Sequence, residues 1–342
     1  MARPTIRDLA TAAGVSPSTV NRVLAGSDKV REPTMQRVLD AARDIGFYGV
    51  GAIRSRVDAA RPRDRFVVLL QQPGRQFYEA VAEHLRQAAS AYEGRDIDLV
   101  LEFMNDLSPD RIADRMLDLG PRADALAVVT AEHPVVSAAI DRLTAMGTPV
   151  LALISPLTAQ TSIGFVGLDS WKVGRTVGWF FENICREPGK IGVLVGSHRY
   201  RNQDMQESGF RSYLREHESG FTVLEPLPTF ESTAIAREMT ERLLTDHPDM
   251  AGLYVCGGGI TGALAAIRGM GRSGTLRVIG YDLMDSTRGG LLDGTLTVVL
   301  AHPFARMARE TLDSMVRMKT SDGTGGAESV LLSFDIYTRE NI

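Results

Sequence analysis

Up to Gly46 the apolar residues recur at helical spacing in three short groups, and beyond residue 65 they change to compact runs of three to five. In the first group, Thr5-Ile6-Arg7-Asp8 has the capping-box arrangement, and Ile6, Leu9, Ala10 and Ala13 follow on one face. Gly14 ends that helix. Ser16 is a good N-cap and Pro17 suits a first helical position, so a second helix is predicted to about Ala25, with Val20, Val23 and Leu24 inward. Pro33 opens a third, with Met35, Val38, Leu39, Ala42 and Ile45 inward and Gly46 as its stop.

The body reads differently. Phe66–Leu70, Leu99–Leu101, Ala125–Val129, Pro149–Leu153, Gly164–Gly167, Gly192–Val195, Leu253–Cys256 and Arg277–Gly280 are strand-like runs. They alternate with helical patterns, among them Phe77–Ala91 and Trp171–Cys185. Such alternation predicts α/β architecture with parallel sheets. About 270 residues exceed one sheet of this kind, so two lobes are expected, each a parallel sheet flanked by helices.

Charge sharpens the division. The 342-residue chain carries a formal −4, but residues 1–65 hold 12 Arg and Lys against 7 Asp and Glu, a net +5, leaving −9 on the rest. A basic head on an acidic body is what a nucleic-acid-binding module joined to another domain presents. Cys185 and Cys256 are too few for a disulfide framework or a Cys-rich metal site. Met1 to Ala10 lacks the apolar core of a secretion signal, and no run of about 20 apolar residues suits a membrane span. A cytoplasmic protein without membrane contact is expected.

Two short helices joined by a Gly-containing turn form the helix-turn-helix pattern, whose second helix enters the major groove. Pro17, Ser18, Asn21 and Arg22 lie opposite the apolar side of that helix, and Arg and Asn suit bidentate contacts to guanine and adenine. Thr5, Ser16, Thr19 and Thr34 suit phosphate contacts, with Lys29 a further basic candidate. Three short helices can also form a neutral bundle, so the pattern needs the residues that follow.

The stretch TIRDLATAAGVSPSTVNRVLAGSDKVREPTMQRVLDAARDIGF resembles the headpiece of the lactose/galactose repressor (LacI/GalR) family. Ala13-Gly14-Val15-Ser16, Thr19-Val20, Arg22-Val23-Leu24 and Gly26 carry the family's hallmarks. The resemblance implies that Pro17, Ser18 and Arg22 read operator bases. Asn21 stands where the family usually has Ser, so the half-site is not transferable. It also implies a hinge helix that wedges a Leu into the minor groove. Here Arg54 and Ser55 match, but Arg56 holds the Leu position. Ile53 and Val57, four apart, are candidate substitute wedges, Arg56 in the minor groove is another possibility, and a solvated basic linker is a third. The expected division is a headpiece at 1–48, a hinge and linker at 49–64, and an effector-binding and dimerisation core at 65–342.

The body resembles the same family's core, a two-lobed fold like that of type I periplasmic binding proteins; FVGLDSWKVGRTVGWFF, ESGFRSYL, RVIGYDLMD and FDIYTRENI carry the likeness. The lobes are expected at about 65–165 with 293–325, and 166–292 with 326–342. The resemblance implies an interlobe cleft in which Phe77 and Tyr78 stack on a sugar and Asp282, beside Tyr281, takes hydroxyls. It adds Thr130 to Glu132 as a contact loop. Phe77 and Tyr78 could equally be core, and Asp282 a helix cap. Gln206 replaces the family's cleft Arg, Gly258-Gly259 its Asn-Asp turn, and Ala301-His302 its late Gln or Asp. Arg199, Arg201 and Gln206 could therefore bind a carboxylated or phosphorylated ligand, or an unusual polyol, with Trp171 as a further stacking wall or as core.

One motif supports a rival. Gly257-Gly258-Gly259-Ile260-Thr261-Gly262 is a G-x-G-x-x-G between a strand and a helix, with Asp282 20 residues on, as in NAD(P)-binding oxidoreductases. It lies late in the chain, and no catalytic set or metal spacing accompanies it. The expected function is a sequence-specific regulator, a repressor of a carbohydrate operon, without cofactor. Its partners would be a palindromic double-stranded operator, a second copy of itself, and a sugar, polyol or sugar acid. A transport-type binding protein is the other alternative, but it has no use for a basic head.

Overall fold

The computed structural model describes residues 3–27, 29–320 and 328–342. Contacts divide the chain into two compact units, Met1–Asp64 with Ala89–Asp98, and Arg65–Ala88 with Leu99–Ile342.

The first unit holds α1 (Ile6–Ala12), α2 (Pro17–Ala25), α3 (Glu32–Asp44) and α4 (Val50–Ala59). Local chemistry sets the ends of the first two. Thr5 Oγ1 accepts the Asp8 N–H at 3.3 Å while Asp8 accepts the Thr5 N–H at 2.8 Å, which holds the Asp8 carboxyl below its usual range. Ser16 Oγ accepts the Thr19 N–H at 3.2 Å, and Gly26 closes α2 at φ 71°, a left-handed conformation that glycine adopts without Cβ strain. Leu9, Val20, Val23, Val38 and Ala42 are wholly buried where these helices meet.

The second unit alternates strand and helix: β1 (Arg63–Gln71), α5 (Gln76–Ser90), β2 (Asp96–Met104), α6 (Pro109–Leu119), β3 (Ala125–Val128), α7 (Pro134–Ala145), β4 (Val150–Leu153) and β5 (Gly164–Leu168). It continues with α8 (Ser170–Ile184), β6 (Lys190–Val195), α9 (Arg201–Glu216), β7 (Thr222–Val223), β8 (Leu227–Pro228), α10 (Thr233–Asp246) and β9 (Met250–Val255). The last elements are α11 (Ile260–Gly269), β10 (Arg277–Tyr281), α12 (Asp285–Leu292), β11 (Val298–Ala301), α13 (Phe304–Thr320), β12 (Ser329–Leu332) and β13 (Asp335–Tyr337). β1, α5 and β2 cross the boundary between the units.

Two sheets result, one ordered β12-β5-β4-β3-β1-β2 and the other β13-β11-β10-β9-β6-β7, with β8 also on β6. Parallel pairing runs through both, and β13 is an antiparallel edge. β3, β4 and β5 are buried at every residue, as expected of strands covered on both faces.

The lobes divide differently from the sequence expectation. β5 belongs entirely to the first sheet, so the first crossing follows Leu168 rather than residue 165. β11 pairs with β10, which puts residues 298–301 in the second lobe, and β12 pairs with β5, which returns residues 329–332 to the first. The chain therefore crosses after β5, after β11 and again between β12 and β13. The expected break at 325/326 falls outside the described residues. Short apolar runs such as VVLA and SVLL state that a strand is buried but not which neighbour it pairs with.

Candidate DNA-reading face and interlobe cavity

On α2, Val20 and Val23 face the head's core, and Pro17, Ser18, Asn21 and Arg22 are exposed. Ser16 Oγ lies 2.8 Å from Ser18 Oγ and 2.9 Å from Thr19 Oγ1, so a chain of short hydroxyls lines the helix's N-terminus. That end carries free N–H groups and partial positive charge, which suit a phosphate. Thr5 and Lys29 are exposed and Thr34 partly so.

The hinge region holds a correction. Ile53 and Val57 are 0% and 1% exposed and belong to the head's hydrophobic core, so in this arrangement they are not wedges. Four-residue spacing serves a buried helical face as readily as a groove-inserting one. Arg54 and Arg56 are the exposed members, and the Arg56 guanidinium lies against Gly26 at the end of α2. A cation there complements the partial negative charge of a helix C-terminus.

Between the lobes lies a cavity of about 510 Å³, lined by residues that follow the carboxyl ends of strands in both sheets. Ligands bind at this end of open α/β sheets, because loops can vary there while strands hold them rigid. Phe77 forms a half-buried wall, 5.0 Å from Tyr78, 5.4 Å from His302 and 5.6 Å from Phe304 between ring centres. Tyr78 is nearly buried, and its hydroxyl and that of Tyr200 both donate to Gln71 Oε1 at 3.0 Å. Tyr78 lies in the first lobe and Tyr200 in the second, so one amide ties the lobes together. Burial pushes the Tyr200 phenol up to about 12 and that of Tyr78 well above its usual value, so both remain protonated donors into the alkaline range.

Asp282 has a left-handed φ of 55°, and its Oδ1 accepts the His302 N–H at 2.9 Å with His302 Nδ1 also at 2.9 Å. Met284, not Asp282, occupies the N-cap of α12. Asp282 thus has a fixed carboxylate on the cavity wall. Asn202 Oδ1 and Gln206 Oε1 are buried in the lining without a hydrogen-bond partner, and such atoms call for a ligand or water. Tyr281 lines the cavity too, its hydroxyl adjoining Tyr254 and Cys256, and burial raises all three well above their ordinary values.

Several expected residues lie elsewhere. Thr130 is 1% exposed and does not line the cavity. Glu132 and Arg201 pair with each other at 3.3 Å, and the Glu132 N–H donates to the Arg199 carbonyl at 2.8 Å. Glu132 and Arg201 thus form an interlobe tie, and neither Arg199 nor Arg201 lines the cavity as invoked for a carboxylated or phosphorylated ligand. Trp171 lines a separate surface hollow of about 620 Å³ with Arg211, Leu214 and Phe221. It follows the carboxyl end of β5 by three residues, yet its side chain lies in this hollow and not in the cavity.

Neither Arg75 nor Glu231 belongs to a recognisable sequence motif. Arg75 Nη1 donates to Glu231 Oε2 at 2.9 Å, and its other terminal nitrogen donates to the Glu231 carbonyl. Glu231 Oε1 accepts from Gln203 Nε2 at 3.0 Å. Phe230 and Glu231 have left-handed φ values of 49° and 59°, uncommon for residues with side chains. A Cβ on Gly196 or Gly258 would overlap the Glu231 carboxylate, and one on Gly262 would overlap the Thr233 carbonyl. The G-x-G-x-x-G run therefore makes room for an internal carboxylate and a close pair of helices. Among the described residues no group of three or more His, Cys, Asp or Glu could hold a metal ion, and no helix is long and apolar enough to cross a membrane.

Head and cavity together define a class: a DNA-reading module carried on a two-lobed ligand-binding core. The pattern of bacterial regulatory proteins of the lacI family matches residues 5–49, and that of the periplasmic binding protein domain matches residues 66–323. The chain belongs to the periplasmic-binding-protein domain family, with a lacI-family head, and is a DNA-binding transcriptional regulator. It is 25% identical over 287 residues to the HTH-type transcriptional regulator GntR of Pseudomonas aeruginosa, covering 82% of this chain and 80% of that one. It is also 25% identical over 195 residues to a D-ribose/D-allose-binding protein of the same species, where 54% of this chain spans 59% of that protein's length. GanP, a glucose-galactose binding protein from Geobacillus stearothermophilus, shares the fold, with a TM-score of 0.73 at 16% identity over 82% of this chain and 99% of that one. These matches favour the regulator over the NAD(P)-binding oxidoreductase.

Proposed function

We propose that the protein represses genes for uptake or breakdown of a carbohydrate, binding a palindromic operator as a homodimer in the cytoplasm and responding to a small sugar or polyol. The exposed polar face of α2 carries this reading, on a chain whose other unit encloses a hydrogen-bonding cavity. Arg22, Asn21, Ser18 and Pro17 meet base edges; Thr5, Ser16, Thr19, Thr34, Lys29, Arg54 and Arg56 meet the backbone. A two-fold dimer presents paired α2 helices to half-sites one DNA turn, or a multiple of it, apart. In the cavity, Phe77 supplies a flat wall, and Asp282, Asn202 and Gln206 converge as acceptors for hydroxyls. The similarity to a D-ribose/D-allose-binding protein supports a monosaccharide. The effector acts by its differential affinity for two arrangements of the core.

Electrophoretic mobility shift with fragments of the source genome, with and without a panel of neutral monosaccharides and polyols, tests the proposal. A fragment retained at physiological salt, whose retention one panel member changes, is the expected result. Binding that is equal for all fragments, or unaffected by every sugar, overturns it.

A further inference from the structure

We propose that Glu231 makes the cavity reject anions, and that the effector is uncharged and donates hydroxyl hydrogen bonds. This rests on the preceding reading of the cavity as the effector site. Arg75 is the one guanidinium among the described lining residues, and an Arg is the natural anchor for a carboxylate or phosphate. Here that role is taken. Glu231 holds the guanidinium through its carboxylate at 2.9 Å and through its own carbonyl, and the strained backbone at Phe230 and Glu231 exists to deliver this carboxylate into the cleft. The site is built for it, since Gly196 and Gly258 vacate its space and Gln203 steadies its second oxygen while accepting the Gly196 N–H at 2.6 Å.

The remaining lining charges reinforce the effect. Asp282 and Asp285 add two further carboxylates, so an incoming anion meets negative charge without a free guanidinium to offset it. The unpartnered atoms Asn202 Oδ1 and Gln206 Oε1 are acceptors, and acceptors pair with hydroxyl donors but not with carboxylate or phosphate oxygens. A neutral polyol satisfies them. An aldonate or sugar phosphate can offer them hydroxyls as well, but brings its own negative charge against Glu231, Asp282 and Asp285.

The test measures calorimetric binding by the full chain of neutral aldopentoses and aldohexoses, their aldonic acids and their terminal phosphates. The wild type is compared with Glu231→Gln and the double variant Arg75→Gln/Glu231→Gln. The expected wild-type ligand is a neutral member, bound at least about tenfold more tightly than its own acid or phosphate. Glu231→Gln, which frees the guanidinium, raises affinity for the anionic form by about tenfold, and the double variant loses that gain. A wild type that binds an acid or phosphate as tightly as its neutral parent overturns the proposal, as does a folded Glu231→Gln variant with no gain. Inorganic phosphate provides a sugar-independent arm: it should raise the melting temperature of Glu231→Gln but not of the wild type. An equal response of both proteins sinks the anion filter even if no sugar binds, whereas failure of every sugar alone sinks only the carbohydrate reading.

Discussion

The α2 face and the interlobe cavity both gather polar side chains, but they are built in opposite ways. The first is one helix turn and a half, with Pro17, Ser18, Asn21 and Arg22 close in sequence and exposed. The second collects residues that follow β1, β3, β4, β6, β8, β9, β10 and β11, and its central ion pair joins residues 156 positions apart. A face on one helix tolerates substitution because solvent surrounds it. A cavity inherits every strain of the packing behind it, which makes its parts interdependent.

The largest expected effect breaks the cavity while sparing the helix face. α8 and α9 approach closely at Gly174, where a Cβ would overlap the carbonyl of Gln206, itself a lining residue. Gly174→Ala should cost about 3 kcal/mol and lower the melting temperature of the core by roughly 6 °C or more. Circular dichroism melts measure this, and an unchanged transition would refute the close approach. Alkaline pH should act next, and again on the cavity. Tyr200 has its pKa raised to about 12 from an ordinary value near 10, so the unfolded chain ionises first. Its contribution is complete below pH 10 and lost as pH rises toward 12, at about 1.4 kcal/mol per unit. Denaturant titrations of wild type and Tyr200→Phe between pH 9 and pH 11 check it, in steps of roughly one unit; the variant should show the shallower decline.

Smaller effects belong to the head and should leave core stability alone. Arg22→Ala should cost about 2 kcal/mol of binding at one base position and relax preference there, read by competition with operator variants. An unaltered preference would remove Arg22 from base reading. Arg54→Ala should weaken binding evenly across sequences and reduce the slope of log affinity against log salt by about 1. A sequence-dependent loss would instead place Arg54 at a base edge.

The head was legible because its signals are local. The Thr5–Asp8 capping box, Ser16 with Pro17, and the end of α2 at Ala25 each act within a few residues, and each stands where the pattern puts it. Phe77, Tyr78, Gln206, Tyr281 and Asp282, all singled out in the sequence, line the cavity. Trp171, Thr130, Glu132 and Arg201 do not, because being near the carboxyl end of a strand fixes a side chain's neighbourhood but not its direction. Ile53 and Val57 turned inward for the same kind of reason: their spacing marks a helical face without saying what covers it.

By itself, then, the sequence determined the helix-turn-helix face, the alternation that makes two parallel lobes, and the separation of a basic head from an acidic body. Those properties come from backbone hydrogen bonding, side-chain period and charge, all read over short stretches of chain. Only the tertiary structure decided that β11 and β12 exchange lobes, that the glycine run houses Glu231, and that Arg75 is engaged from within. Each of these depends on partners far apart in the chain, brought together when loops from two sheets close over one cavity.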